Sequence, residues 1–333
     1  MRVIFRADAS VTQGSGHVMR CLTLAEELRA KGHEVVFASS IGGIEWLDET
    51  MRDSGYSTVP AIADEIDTAA LVQLRPDWVV VDSYLIPAEE ISALAEVLPV
   101  FAIVDGSTRG IRAQLYLDQN LGAEAIDWDV PRGSMLAGAQ YALIRDGFLA
   151  VRRPDPSALV AVPQVTAFMG GTDPSGIIVE VARELAKVPG PLTLTVIAPA
   201  AHTAAVRHAL AGHPARVITP TAELPTLLGS SDVIVSAAGT SAWDVCTLAI
   251  PAVFVGVIDN QSPSLAAIAA RGYALGIDLV LGESLDRLSS AVDGLARDAA
   301  LRARLSAQCA TVFDGLGKNR VVAAMTAQHG GRR

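Results

Sequence analysis

The chain has 333 residues, about twice the ~150 of an ordinary domain, and half of them are hydrophobic, which is enough apolar side chain for two separate cores. Lysine and arginine number 26 against 36 aspartates and glutamates, a net charge of −10. That balance excludes a nucleic-acid polymer as the main partner, because phosphate chains are held by clustered basic side chains, yet a single anionic ligand can still be held by backbone N–H groups.

The opening residues 1–10 form a strand-like run that meets an acid at Asp8, and do not read as a basic, apolar, small-residue signal peptide. Further Val/Ile/Phe-rich runs follow at 34–38, 78–81, 100–104, 165–169, 192–197, 233–236 and 252–257. Most are apolar at consecutive positions, which predicts parallel strands buried on both faces. Segments of helical period lie between them, among them 18–31, 91–97, 177–187 and 264–270. This alternation predicts an α/β, doubly wound architecture. Residues 148–164, with Arg152, Arg153, Pro154, Pro156 and Pro163, interrupt any regular element and mark the expected domain boundary. No apolar stretch approaches the ~20 residues of a membrane span, so a soluble, cytoplasmic protein is expected.

Several runs end in polar or glycine-containing clusters, where open α/β sheets collect ligands. The first is Gly14-Ser15-Gly16-His17, where two glycines turn the chain into a helix. The positive field of a helix N-terminus disfavours a charged imidazole, so His17 is expected to act as a neutral base. Cys21 stands four residues on, but two ligands make no metal site, and Cys246 and Cys309 are too scattered to complete one or to build a disulfide framework. The second is Gly170-Gly171-Thr172-Asp173, where paired glycines let a phosphate approach the backbone and Thr172 adds a hydroxyl. In the third, Gly239-Thr240-Ser241 leads into a helix carrying Asp244, an arrangement able to set N–H groups on a diphosphate and a carboxylate on ribose. The fourth, Asp259-Asn260-Gln261, offers adjacent amides to sugar hydroxyls or an acetamido group.

Together with Arg6-Ala7-Asp8-Ala9-Ser10, Asp82-Ser83-Tyr84, Leu117-Asp118-Gln119-Asn120 and Tyr141-Ala142-Leu143, these clusters follow the order of a known family across nearly the whole chain. The sequence resembles the UDP-sugar hydrolases of pseudaminic acid biosynthesis, whose substrate is UDP-2,4-diacetamido-2,4,6-trideoxy-β-L-altropyranose. That family is similar in turn to the N-acetylglucosaminyltransferase of peptidoglycan precursor synthesis. The resemblance implies a GT-B-like fold, with two Rossmann-like doubly wound domains facing across a cleft. Residues 1–150 would carry the catalytic histidine and the sugar, residues 160–318 would bind UDP, and 319–333 would be a tail packing back on the first domain.

The resemblance also implies roles. His17 would activate water at the anomeric carbon, with Tyr84 and Asn260 beside it in the active site. Gly14, Gly16, Gly171, Thr172, Gly239, Thr240 and Ser241 would bind the nucleotide, with Asp244 at the position of the family's usual ribose glutamate. Asp8, Asp105 and Gln261 would lie on the sugar side. UDP is a good leaving group, so one base suffices and inversion is expected, with no metal and no cofactor. The family usually has a second acid after Asp105, and here Gly106 stands in its place, which opens the choice to other amino-deoxy sugars. The alternative is a GT-B glycosyltransferase that uses a UDP- or CMP-amino-deoxy sugar to glycosylate a polysaccharide or natural product. A non-catalytic nucleotide-sugar binder is the third possibility.

Overall fold

The computed structural model describes residues 1–130 and 133–331. It divides into two compact units, Met1–Ile144 with Gly315–Arg333, and Arg145–Asp314. The division at Ile144/Arg145 precedes the proline-rich stretch 148–164, which Arg302 ties to the second unit. This arginine is 1% exposed, and its guanidinium donates to the carbonyls of Pro156, Ser157, Ala158, Asp232 and Leu295. A fork of five donors can satisfy that many carbonyls of an irregular segment, which has no ladder to satisfy them itself.

The first unit is built on a seven-stranded parallel sheet. Its strands, in chain order, are β1 (Arg2–Ala7), β2 (Glu34–Ala38), β3 (Ser57–Val59), β4 (Trp78–Asp82), β5 (Val100–Ile103), β6 (Leu115–Asp118) and β7 (Ser134–Ala137). Their spatial order is β3-β2-β1-β4-β5-β6-β7. Val3, Phe5 and Ala7 of β1 pack into one core with helix α1 (Gly16–Ala30), while Ile4 packs into the core on the opposite face. Burial on both faces is why the sequence of β1 is apolar without alternation.

The helix Gly317–Gly330 returns to this unit, where Val321, Val322 and Met325 enter the core with α1. Trp78 Nε1 donates to the Met325 carbonyl at 3.2 Å, and Asn319 Nδ2 to Glu27 at 2.5 Å. The helix starts so close to the chain at Tyr141–Ala142 that a Cβ on Gly317 would sit 2.1 Å from the Ala142 carbonyl oxygen. Gly317→Ala is therefore expected to lower stability by about 1–3 kcal/mol, the usual cost of overpacking. Urea unfolding of the variant checks this, and an unchanged midpoint would contradict the docking of the helix start.

The second unit carries a six-stranded parallel sheet: β8 (Gln164–Phe168), β9 (Thr193–Ile197), β10 (Ala215–Ile218), β11 (Val233–Ala237), β12 (Ala252–Gly256) and β13 (Leu275–Asp278). The order is β10-β9-β8-β11-β12-β13. Both sheets thus reverse direction beside their first strand, between β1 and β4 and between β8 and β11. Loops leaving neighbouring strands on the two sides of such a point diverge, and the crevice at their carboxyl ends is where doubly wound sheets bind ligands. The two units are Rossmann-like domains, and the fold is GT-B-like.

Five strands (β3, β6, β7, β10 and β13) have no counterpart among the apolar runs of the sequence. They are three or four residues long, and β7 and β10 hold mostly exposed or half-buried positions, so little apolar signal marks them. No helix of the described residues is long and apolar enough to cross a membrane.

Candidate active site

At the switch point of the first sheet, Ala7 at the end of β1 is paired with Asp82 at the end of β4. The chain leaves β1, closes a turn in which Gly14 N donates to the Ser10 carbonyl at 2.8 Å, and enters α1 at Gly16. Gly14 has φ +85°, a conformation that costs glycine nothing. His17 is the second residue of the helix and Arg20 lies one turn further, so both point to the same side.

Asp82 is fully buried beneath them. Its Oδ1 lies 2.6 Å from His17 Nδ1 and accepts from Arg20 Nη2 at 2.7 Å, while its Oδ2 accepts from Arg20 Nε at 2.5 Å. The same guanidinium reaches Asp105, just beyond β5, with Nη2–Oδ2 at 2.9 Å and Nη1–Oδ1 at 3.1 Å. Asp105 also accepts from the Tyr84 hydroxyl at 2.5 Å and from Asn120 Nδ2 at 2.7 Å. The His17 and Tyr84 rings meet edge to face, 4.7 Å between centroids. Arg109 holds the Tyr84 segment from outside, donating to the carbonyls of Ser83 at 2.5 Å and Tyr84 at 2.8 Å.

These contacts fix the charges. Burial works against the Asp82 carboxylate, but the adjoining Arg20 charge and then His17 hold its pKa well below the usual carboxylate range. Asp105 is likewise held down against its burial, by Arg20 and the Tyr84 hydroxyl. Burial and the neighbouring Asp105 charge push the Tyr84 phenol well up, so Tyr84 stays protonated and donates. Burial raises the pKa of Asp118, whose carboxylate accepts from the backbone N–H of Gly106 and Asn120. An ionised Asp82 can only accept, so the proton between it and His17 sits on Nδ1, and Nε2 carries the lone pair. The arrangement can therefore take a proton at Nε2 while Asp82 steadies the charge that forms on the ring.

The structure brings His17, Tyr84 and Asp105 into one network, and Gly14 and Gly16 shape the loop that leads into it. Asp8 has other partners. It is 4% exposed and accepts from Arg6 Nη1 at 2.5 Å, Ser40 N at 2.8 Å and Asp64 N at 2.9 Å. These contacts join β1 to the loop around Ile62–Glu65, to whose carbonyls Arg6 also donates.

In the second unit, Gly171 and Thr172 follow β8, and Gly239, Thr240 and Ser241 follow β11, its neighbour in the sheet. Both loops therefore leave the switch point of that sheet. Asp173, adjoining the first loop, accepts from Ile177 N and Ile178 N at 3.2 and 3.0 Å and so caps the helix Ile177–Leu185. Gln261, in the turn Asp259–Gln261 with Asn260, accepts from Val257 N at 2.9 Å, and its amide nitrogen flanks Gly239. Asp244 lies in the first turn of the helix Ser241–Leu248 and is 6% exposed. Its Oδ2 is gripped by Arg145, from Nε at 3.0 Å and Nη2 at 2.7 Å, and that guanidinium packs over Phe148. Burial raises the pKa of Asp244 and Arg145 opposes the rise. Among the described residues no three His, Cys, Asp or Glu side chains cluster as metal ligands.

Sequence reasoning gave no role to Arg20, Arg109 or Arg145, and Asp82 and Asn120 entered it within motifs of the resemblance, without a role of their own. Arg20 carried one usable signal. It is a charged residue between Val18 and Cys21, within a helix whose next turn is Leu22, Thr23 and Leu24, all buried, and a charge there requires a buried partner.

No family profile matches the chain. It is 22% identical over 304 residues to the spore coat polysaccharide biosynthesis protein SpsG of Bacillus subtilis, covering 85% of each chain. It is 25% identical over 195 residues to the uncharacterized protein MJ1062 of Methanocaldococcus jannaschii, a match spanning 56% of this chain and only 40% of that protein. Among solved structures, MurG of Acinetobacter baumannii superposes with a TM-score of 0.70 at 14% identity, covering 98% of this chain and 99% of that one. The spinosyn forosaminyltransferase SpnP gives 0.69 at 16% identity with 99% of each chain covered. The spinosyn rhamnosyltransferase SpnG, complexed with thymidine diphosphate, gives 0.65 at 17%, covering 97% of this chain and all of that one. At these identities the likeness is one of fold.

Proposed function

We propose that the chain is an inverting enzyme that takes a nucleoside-diphosphate amino-deoxy sugar and breaks its anomeric C–O bond. The glycosyl group passes to an acceptor hydroxyl deprotonated by His17. The observation that carries this reading is the ionised, fully buried Asp82 at His17 Nδ1, which leaves Nε2 as the base. The fold likeness to a forosaminyltransferase, and to a rhamnosyltransferase holding thymidine diphosphate, supports a sugar nucleotide as donor. Similarity to a polysaccharide biosynthesis protein over most of both chains points the same way.

The loops Gly171–Thr172 and Gly239–Ser241 are assigned to the diphosphate, whose developing charge the backbone N–H groups at the start of the helix Ser241–Leu248 would stabilise. Tyr84, Asp105, Asn260 and Gln261 are assigned to the sugar, and Asp244 to the ribose. If Asp244 contacts the nucleoside, Asp244→Ala is expected to weaken binding of UDP or TDP about ten- to hundredfold, the range for a hydrogen bond to a charged group. Calorimetric titration measures this, and unchanged affinity would reassign the carboxylate to holding Arg145 alone.

A second reading has water in place of the acceptor. It is favoured by the run of motifs from Asp8 to Gln261 that resembles the UDP-sugar hydrolases. Nucleotide release from UDP- and TDP-linked amino sugars, followed with and without sugar acceptors, separates the two. Release that becomes fast only with an acceptor supports transfer, and equal release without one supports hydrolysis.

A further inference from the structure

Within the reading of His17 as base, we propose that Arg20 is a positioning residue whose guanidinium couples the histidine arm of the site to its tyrosine arm. One planar fork serves two carboxylates. Nε and Nη2 grip Asp82, the residue that orients His17, while Nη1 and Nη2 grip Asp105, which accepts the hydrogen bond of the Tyr84 hydroxyl. Arg20 is 4% exposed and Asp82 fully buried, so neither has water to replace a lost partner. Nη2 is shared between the two carboxylates, so a shift of either one moves the other.

The guanidinium also lies against the ring, with Nη2 3.4 Å from His17 Nδ1. Facing His17 are Asp82 from β4, Tyr84 from the segment after it, and Arg20 from its own helix. Asp105 and Asn120 reach it only through Arg20 and Tyr84, and Cys21 Sγ lies 3.9 Å from Asp82 Oδ2. Arg20 thus sets one positive charge against two carboxylates, one of which meets the ring.

The discriminating variant is Arg20→Lys, which keeps the buried positive charge and removes the fork. A lysine ammonium is a point donor and cannot present two parallel donors to Asp82 while reaching Asp105. Turnover is expected to fall about a hundredfold, the scale of a small misplacement of a catalytic group, with KM within about threefold of the parent. In nitrogen-15 histidine spectra, assigned by the loss of one ring in His17→Asn, the parent should show Nδ1–H with an unprotonated Nε2, and Arg20→Lys a mixture of tautomers. Parent-like turnover together with an unchanged ring in a folded Arg20→Lys protein would overturn the proposal. If that variant does not fold, Asp105→Asn removes one of the two carboxylates instead, and an unmoved His17 ring there would overturn it equally. The ring spectra need no substrate. A protein whose ring responds as expected but which turns over no sugar nucleotide would sink the functional reading and leave the coupling standing.

Discussion

Replacing His17 by asparagine lowers turnover by about 10²–10⁴-fold, the usual contribution of a positioned general base, while nucleotide affinity stays within about twofold. The asparagine amide approximates the ring's hydrogen bond to Asp82, so Arg20 and the network beneath keep their partners and the fold is retained. It offers no lone pair of suitable basicity at the place of Nε2. Steady-state release of nucleotide and calorimetric binding of UDP or TDP together check the expectation. Parent-like turnover would remove His17 from the chemistry, and lost binding would make it a ligand contact.

Asp82→Asn is expected to be as damaging, by about 10³–10⁴-fold, through a different route. An asparagine can donate from Nδ2 to His17 Nδ1, which selects the tautomer with the proton on Nε2 and so blocks the base. A loss of this size is known from the carboxylate-to-amide change in serine protease triads. The variant also leaves Arg20 with a single carboxylate, Asp105, so part of the stability of the buried charge network is lost. The pH dependence of stability gives an independent reading. The pKa of Asp82 is depressed in the folded protein, so its contribution is fully present above the ordinary carboxylate range and is lost as pH falls through that range and below. The amide cannot titrate, so the acid-side loss of stability should be shallower in Asp82→Asn than in the parent. Urea melts at descending pH measure this, and parallel curves would contradict the ionised state assigned to Asp82.

What the sequence discloses and what it hides follow from the distance over which each signal acts. The turn Gly14–Gly16, the helix start at His17 and the acids that end β4 and β5 are local features. Apolar runs followed by an acid locate Asp82 and Asp105 before any partner is known. Strands buried along an unbroken Val/Ile/Phe run are legible, even the four residues of β5, whereas β7 and β10, short and mostly exposed or half-buried, are not. The local pattern around Arg20 says only that it needs a buried partner; which partner is hidden, because Asp82 and Asp105 lie 62 and 85 residues away and only the pairing of β1 with β4 brings the first within reach. Asp8 shows the opposite effect. The resemblance puts this acid at a strand end on the sugar side; in the fold Arg6, two residues earlier on the same face of the chain, donates to one oxygen, and the backbone N–H groups of Ser40 and Asp64 also donate to the carboxylate. Asp244 is similar. Its position one turn into a helix fits a ribose contact, while Arg145, 99 residues earlier, supplies a partner that no spacing rule could indicate.

The measurement that bears most directly on the account is turnover of UDP- and TDP-linked amino sugars in water enriched in oxygen-18, with the mass of the released nucleotide read by mass spectrometry. Attack of a His17-activated oxygen on the anomeric carbon leaves the bridging oxygen on the nucleotide, so the nucleotide is expected to carry no label whether the acceptor is water or a hydroxyl. Label in the nucleotide phosphate would mean attack at phosphorus and would contradict the account.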